Sequence, residues 1–253
     1  MNKKVSYIII ILITIITILL LVLLSNNDKK DNIDVVTEKY LIIDNYSTWM
    51  YTNKWEKIDN SKISGKKLKA FINDELQGLT TFSFGSKWNL YNDNDEYIDY
   101  EGDLIAASPE LKLSVDKIII EDIGEKELNE INSILNKNYE IDFFTTKELV
   151  KVDLDKNGNL DYIVNVNNLN DEEANEYVSL IYAKVNNNVM ILNDKSIDLK
   201  DYLNTPRYRI KEVIDLNNNK YVIIQKGFFS LAGKNGNIMF EYIDNKFKLV
   251  MED

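Results

Sequence analysis

The chain has 253 residues, with 30 Lys and Arg against 41 Asp and Glu, and it contains neither His nor Cys. The net charge of −11 at pH 7 argues against a nucleic-acid partner, because binding to phosphates requires a basic surface. Without Cys there are no disulfide bonds, thiolate nucleophiles or cysteine-based metal sites. Without His the usual general base and the commonest zinc ligand are missing. The composition therefore predicts one or two compact units that are not an enzyme of the usual hydrolytic classes.

The first feature along the chain is an uncharged, apolar run from Val5 to Leu24. About 20 helical residues rise about 30 Å, which is the thickness of a bilayer hydrocarbon core. The run could be an uncleaved signal anchor, a cleaved signal peptide with Lys3 and Lys4 at its basic end, or a buried core helix. It is long for a signal peptide, and no small-residue cleavage pattern follows it. We therefore predict a transmembrane signal anchor over 5–24.

The orientation of this anchor depends more on length than on charge. The lysines on its two sides are nearly balanced, so the positive-inside rule alone does not orient it. Residues 1–4 form a tail short enough to stay in the cytoplasm while the rest of the chain follows the signal across. We predict a single-pass protein of the cell membrane, with a cytoplasmic N-terminus and an extracytoplasmic bulk. The bias toward Ile, Asn, Lys and Asp is typical of AT-rich bacterial genomes and favours a bacterial cell envelope.

The part after the anchor begins with a polar segment and continues as a strand-like pattern. Residues 25–38 are poor in large apolar groups, which is typical of a short stalk. Over residues 39–122, short apolar or aromatic runs alternate with Asn, Asp and Gly, and this predicts a β-rich N-terminal portion built of antiparallel hairpins. The stretch Lys66–Gln77 fits either a helical face or a hairpin with Asn73–Asp74 at its turn, and we favour strands.

A clearer helical pattern separates this portion from the next. Leu128, Ile131 and Leu135 form an apolar stripe between about Gly124 and Asn138. Asp122 can cap the first turn of this helix, and Glu125 then completes a capping box.

Residues 123–253 form a second β-rich portion, in which apolar strands are separated by turns rich in Asn and Gly. These turn residues supply the positive φ angles that tight hairpins require. A short helix is predicted over 198–203, ahead of Pro206. The predicted fold class is therefore mainly β, made of antiparallel hairpins and sheets with a few helices, behind one N-terminal transmembrane helix.

One motif carries recognisable chemistry, and it lies in the segment VDLDKNGNLDYIVNV, residues 152–166. Oxygen-bearing side chains occupy every second position of a loop, and Gly158 permits a sharp turn. A Ca²⁺ ion takes about six to eight oxygen ligands at about 2.4 Å, and alternating oxygens on a curled loop can converge on one centre. An EF-hand would need Glu at its twelfth position, where this chain has Val164. The candidate ligands are Asp153, Asp155, Asn157, Asn159 and Asp161, with Asn159 acting through its backbone carbonyl.

This loop resembles the calcium loops of integrin-type FG-GAP and VCBS repeats, which have the form D-x-D/N-x-D/N-G-x-x-D. The pattern is matched at Asp153, Asp155, Asn157, Gly158 and Asp161. The resemblance implies that these residues other than the glycine are side-chain ligands of Ca²⁺. It also implies that the loop connects strands of a β-propeller blade, so the sheets could be blade-like.

A second stretch, residues 214–224, repeats only the D-L-N-x-N opening and would be a degenerate copy without an ion. For the first loop, a solvated Asx-rich turn without metal is the alternative, since such turns are common between strands. If the loop binds Ca²⁺, we expect a structural role in which the ion neutralises the carboxylates and holds the turn.

Together these features predict a membrane-anchored, extracytoplasmic, non-catalytic protein that contacts another envelope protein or the cell wall. Two alternatives stay open. One is an envelope hydrolase that uses an Asp/Glu pair, with one carboxyl of raised pKa in a deep pocket. The other is an assembly or sensory subunit of a membrane complex. Trp49, Trp55 and Trp88 would suit a sugar-stacking platform, although core or cross-strand packing is the commoner role for such residues.

Overall fold

The structure is a computed structural model that describes residues 38–44, 47–168, 176–198, 206–227 and 235–253. The described residues contain three antiparallel sheets and one α-helix, so the prediction of a mainly β fold is confirmed. The predicted anchor, Val5–Leu24, lies outside them. Within the described ranges, no helix is both long enough and apolar enough to cross a membrane. The helix predicted over 198–203 also lies outside them, apart from Asp198, which ends a strand.

Sheet 1 contains the first eight strands among the described residues. These are β1 (Lys39–Ile43), β2 (Ser47–Tyr51), β3 (Trp55–Lys57), β4 (Lys67–Ile72), β5 (Glu75–Phe84), β6 (Trp88–Tyr91), β7 (Tyr97–Ile98) and β8 (Leu104–Ala107). Their order across the sheet is β3-β2-β1-β8-β4-β5-β6-β7. In a flat sheet β1 and β6 would be about 19 Å apart. Yet the indole nitrogen of Trp88 on β6 donates to the carbonyl of Asp44, just after β1, at 3.1 Å. The sheet therefore curls around its own apolar core.

The stretch Lys66–Gln77, which fitted either a helix or a hairpin, forms a hairpin in this sheet. Asn73 and Asp74 form the turn between β4 and β5, with φ angles of 47° and 67°. Only Gly, Asn and Asp adopt such angles readily, so the prediction of strands here is confirmed.

Two five-stranded sheets follow. Sheet 3 has the order β10-β11-β12-β13-β14, and sheet 2 the order β18-β17-β16-β15-β9. Their strands are β9 (Leu113–Val115), β10 (Ile119–Asp122), β11 (Thr146–Val152), β12 (Asp161–Asn167), β13 (Glu176–Val185), β14 (Asn188–Asp198), β15 (Arg207–Leu216), β16 (Asn219–Gly227), β17 (Gly236–Ile243) and β18 (Lys246–Glu252). Strand β9 comes from the predicted N-terminal portion and forms the edge of sheet 2, whose other strands come from the C-terminal portion.

Sheet 2 lies between the other two sheets, because its side chains alternate between two cores. On β16, Tyr221 and Ile223 pack with residues of sheet 1. Val222 and Ile224 on the same strand pack with residues of sheet 3. Successive strand residues point to opposite faces, so a strand with apolar residues at every position is buried on both sides.

The helix α1 (Glu125–Leu135) covers the other face of sheet 3 through Ile131. It begins two residues later than a cap at Asp122 would require. Gly124 is the N-cap, and its N–H donates to the Glu127 carboxylate at 3.0 Å. Asp122 is instead the last residue of β10 and pairs with Glu148 of β11, so the chain is still part of the strand at this point and the helix starts only after Gly124. The predicted capping box of Asp122 and Glu125 was therefore wrong by two residues, since the observed one consists of Gly124 and Glu127.

A buried charge cluster lies where β15 meets sheet 1. A bulge in β15 turns both Lys211 and Glu212 inward. The Lys211 ammonium pairs with the carboxylates of Asp44 and Asp103. Glu212 is only 4% exposed. Burial, together with the charge of the neighbouring Asp74, raises the pKa of Glu212 to about 8.

We expect the stability of the fold to fall as the pH rises through the pKa of Glu212. A carboxyl whose pKa is higher in the folded state favours folding while it keeps its proton. That contribution is complete below the unfolded-state pKa and is lost as the pH passes the folded-state pKa. Glu212→Gln should therefore raise the melting temperature by several degrees near pH 9 and change it little near pH 5.

The matched control is Glu110→Gln, which changes an exposed carboxylate in the loop after β8. Thermal melts at both pH values compare the two variants. An equal response of the two variants to pH would contradict the assignment of a raised pKa to Glu212.

Candidate metal centre

The candidate loop lies between β11 and β12 and is anchored at both ends. Val152 ends β11 and Asp161 begins β12, and the two are paired across the strands. Leu154 lies inside the loop but is buried in the core between sheets 2 and 3. Lys156 and Gly158 have positive φ angles of 61° and 86°. The loop therefore curls tightly, and Gly158 lies at one of the two left-handed positions that the curl requires.

This curl brings three carboxylates together. Oxygen atoms of Asp153, Asp155 and Asp161 all lie within 4.8 Å of one another. Two oxygens bound to one Ca²⁺ ion at about 2.3–2.6 Å can be at most about 5 Å apart. The spacing of the three acids therefore fits a single ion of this size.

The two predicted asparagine ligands are placed differently. Asn157 lies against the acids: its backbone N–H donates to Asp153 at 3.1 Å, and its side-chain amide donates to Asp155 at 2.9 Å. Rotation of that amide would present its oxygen instead of its nitrogen. Asn159 is exposed, and its N–H donates to the Asn157 side chain at 2.7 Å. The structure thus brings the side chains of four of the five predicted residues together. The side chain of Asn159, which was predicted to act through its backbone carbonyl, lies at the surface.

A residue that the sequence did not indicate completes the cluster. Asn186 is in the turn between β13 and β14, and its side-chain amide donates to the Asp155 carboxylate. In an up-and-down sheet, alternate turns lie at the same end, so this turn and the loop are neighbours. The available signal was an Asn-rich turn two strands after the loop, but Asn is so frequent in this chain that the turn did not stand out.

Burial and the repulsion between neighbouring carboxylates disfavour the charged form of Asp161 in this cluster. Asp161 is 6% exposed. Burial raises the pKa of Asp161, and the charge of Asp155 raises it further. The N–H of Leu154 opposes this rise, because it donates a hydrogen bond to the Asp161 carboxylate at 3.0 Å. Burial and the same two acids also raise the pKa of the nearby Tyr242. A cation at this position would relieve the repulsion among the carboxylates.

The degenerate second copy is a hairpin turn with other partners. Asp215 pairs with Lys156 of the first loop and lies 3.9 Å from Lys220. Asn217 accepts a hydrogen bond from the N–H of Lys112, and Asn219 donates to Glu241. The oxygen of Asn217 and the Asp215 carboxylate are thus already engaged by donors and cations. The turn instead links sheet 2 to the loop of sheet 3.

Comparisons of this chain with protein families, with curated proteins and with solved structures found no match.

The loop should contribute to stability through Leu154 rather than through its exposed residues. Leu154 is 1% exposed and Leu160 is 60% exposed, so the two leucines form a matched pair within one loop. We expect Leu154→Ala to cost about 2–5 kcal/mol in the free energy of unfolding, because it leaves a cavity. Leu160→Ala should change it by less than about 0.5 kcal/mol. Urea unfolding in the presence of chelator measures both, and equal effects would contradict the buried anchor.

Proposed function

We propose that this protein is a single-pass, membrane-anchored envelope protein with an extracytoplasmic, β-rich binding domain and one structural Ca²⁺ loop. The membrane anchor rests on the apolar run Val5–Leu24 of the sequence. The observation that carries the Ca²⁺ loop is the convergence of Asp153, Asp155 and Asp161 within 4.8 Å between two paired strands. The domain would act by contact with another envelope protein or with the cell wall.

The donor set supports Ca²⁺ over softer metals. The acids offer only hard carboxylate oxygens, and the chain has neither His nor Cys. Asn157 and Asn186 could add amide oxygens after rotation of their side chains. A structural role is supported because Asp161 begins a buried strand and Leu154 lies in the core. An ion between these points would connect a strand, a loop and the neighbouring turn.

The resemblance to FG-GAP and VCBS loops is supported by the local architecture. Strands β11–β14 and β15–β18 are two successive four-stranded meanders, and they share an apolar core. The loop joins the first two strands of the first meander. Such an arrangement agrees with blade-like sheets.

One observation favours the hydrolase alternative. Glu212 and Asp74 form an acid pair in which one pKa is raised to about 8. However, Glu212 is 4% exposed and its neighbour Lys211 is held by two other carboxylates. An acid pair must contact the substrate to transfer a proton to it. The burial of Glu212 therefore supports the non-catalytic role.

The Ca²⁺ loop predicts a metal-dependent melting temperature. A ligand that binds only the folded state stabilises it by RT ln(1 + [L]/Kd), about 2.7 kcal/mol at 100 times the Kd. For a chain of this size we expect a rise of about 5–10 °C between chelator and saturating Ca²⁺. Asp155→Ala should abolish this rise, because Ala removes the ligand oxygen that Asn would still offer.

Asp99→Ala is the matched control, because Asp99 is an exposed acid just after β7 in sheet 1, away from the loop. This variant should keep the full Ca²⁺ response. A wild-type melting temperature that does not change up to about 10 mM Ca²⁺ would reduce the loop to a solvated turn.

The anchor predicts the behaviour of the full chain in cells. It should stay with the membrane after an alkaline wash, and protease added outside the cytoplasmic membrane should digest the part that begins at Glu38. Deletion of residues 5–24 should release the protein into the soluble fraction, whereas deletion of residues 25–37 should not. Recovery of a mature form that lacks residues 1–24 would contradict an uncleaved anchor.

A further inference from the structure

A cleft of about 630 Å³ opens where sheet 1 meets sheet 2. The β2–β3 hairpin forms one wall with Tyr51 and Trp55, and sheet 2 forms the other with Tyr221 and Glu241. Small-molecule sites in proteins have volumes of about 300–1,000 Å³ and often lie at contacts between substructures. The cleft therefore has the size and the place of a ligand site.

The aromatic wall is built by a cross-strand pair. Tyr51 and Trp55 are paired residues of β2 and β3, and their ring centroids are 5.1 Å apart at an angle of 55°. Both side chains are half-buried and both line the cleft. Trp49 and Trp88, by contrast, are almost completely buried. Of the three tryptophans only Trp55 lines the cleft and is accessible enough for the C–H groups of a sugar to pack on its ring.

The opposite wall holds a fixed hydrogen-bonding group. One oxygen of Glu241, Oε1, accepts hydrogen bonds from the Tyr221 hydroxyl at 2.9 Å and from the Asn219 amide at 2.7 Å. Burial and the charge of Glu241 raise the pKa of Tyr221, so this hydroxyl keeps its proton and continues to donate. Both of these donors bond Oε1, which leaves Oε2 available to accept from a hydroxyl group in the cleft.

We propose that this cleft binds a saccharide, whose ring stacks on Trp55 and whose hydroxyl groups donate to Glu241. A sugar ring combines an apolar face with a rim of hydroxyl groups, and the two walls offer the complement of each. The cleft is also lined by three lysines, which would favour sugars that carry an acidic group: Lys39, Lys54 and Lys248. This assignment names a ligand class for the binding role proposed above and rests on that role.

The test is an array of neutral, amino and acidic oligosaccharides, probed with the fluorescently labelled full chain in a detergent that contains no sugar. We expect binding to a related group of saccharides. Glu241→Gln keeps the shape of the side chain and should weaken that binding at least tenfold, because it removes a charge-assisted acceptor. Trp55→Ala should weaken it by at least as much. Tyr97→Ala, which removes an exposed aromatic ring at the far edge of sheet 1, should have no effect.

Two outcomes would overturn the assignment: no binding to any saccharide on the array, or binding that Glu241→Gln leaves unchanged. Because Trp55 packs against the core, its variant is interpreted only if its melting temperature shows a folded protein. The Ca²⁺-dependent melt of the same samples separates the two proposals. An intact Ca²⁺ response without saccharide binding would reject the saccharide alone, and loss of the Ca²⁺ response with saccharide binding retained would reject the metal loop alone.

Discussion

Sheet 2 is buried on both faces, and this constraint determines where the charged residues of the domain can lie. Its central strands present apolar side chains in both directions, as Val222 and Ile223 do. A charged group in the middle of such a strand loses its hydration and must be paired. The exceptions are Lys211 and Glu212, which the bulge in β15 places beside the acids of sheet 1. The remaining charge of the sheet is concentrated near the ends of its strands.

Both candidate sites follow from this distribution, and the β15–β16 turn lies between them. On one side of the turn, Asp215 pairs with Lys156 of the acidic loop. On the other side, Asn219 fixes the carboxylate of Glu241 in the cleft. Two sites from different sheets thus share one short hairpin as a common support. Since a rigid support reduces the entropy lost on binding, the position of both sites beside a doubly buried sheet favours preorganised contacts.

The strands and most of the acidic loop could be predicted because their signals are local. Alternating apolar residues and Asn-rich turns identify hairpins one at a time, and the Asp153–Asp161 spacing places its acids on one curl. The unpredicted contacts join distant segments. Asn186 reaches the loop from another turn, and the bulge that buries Glu212 depends on the packing of β15 against sheet 1. The helix cap at Gly124 was missed for the same reason, since pairing with β11 keeps the chain in strand β10 through Asp122.

Strand β9, at one edge of sheet 2, constrains the order in which the chain can fold. Ser114 of β9 pairs with Asp215 of β15, roughly 100 residues later in the chain, and such non-local pairs slow folding because a long loop must close first. Sheet 1 contains only strands β1–β8 and can form as soon as β8 has been synthesised. Sheet 2 must wait until β15 is available, and until then the sheet 1 face that includes Ile105 stays without its cover. A chain with this connectivity exposes apolar surface late in its synthesis, and its last strands complete a core that the first strands have begun.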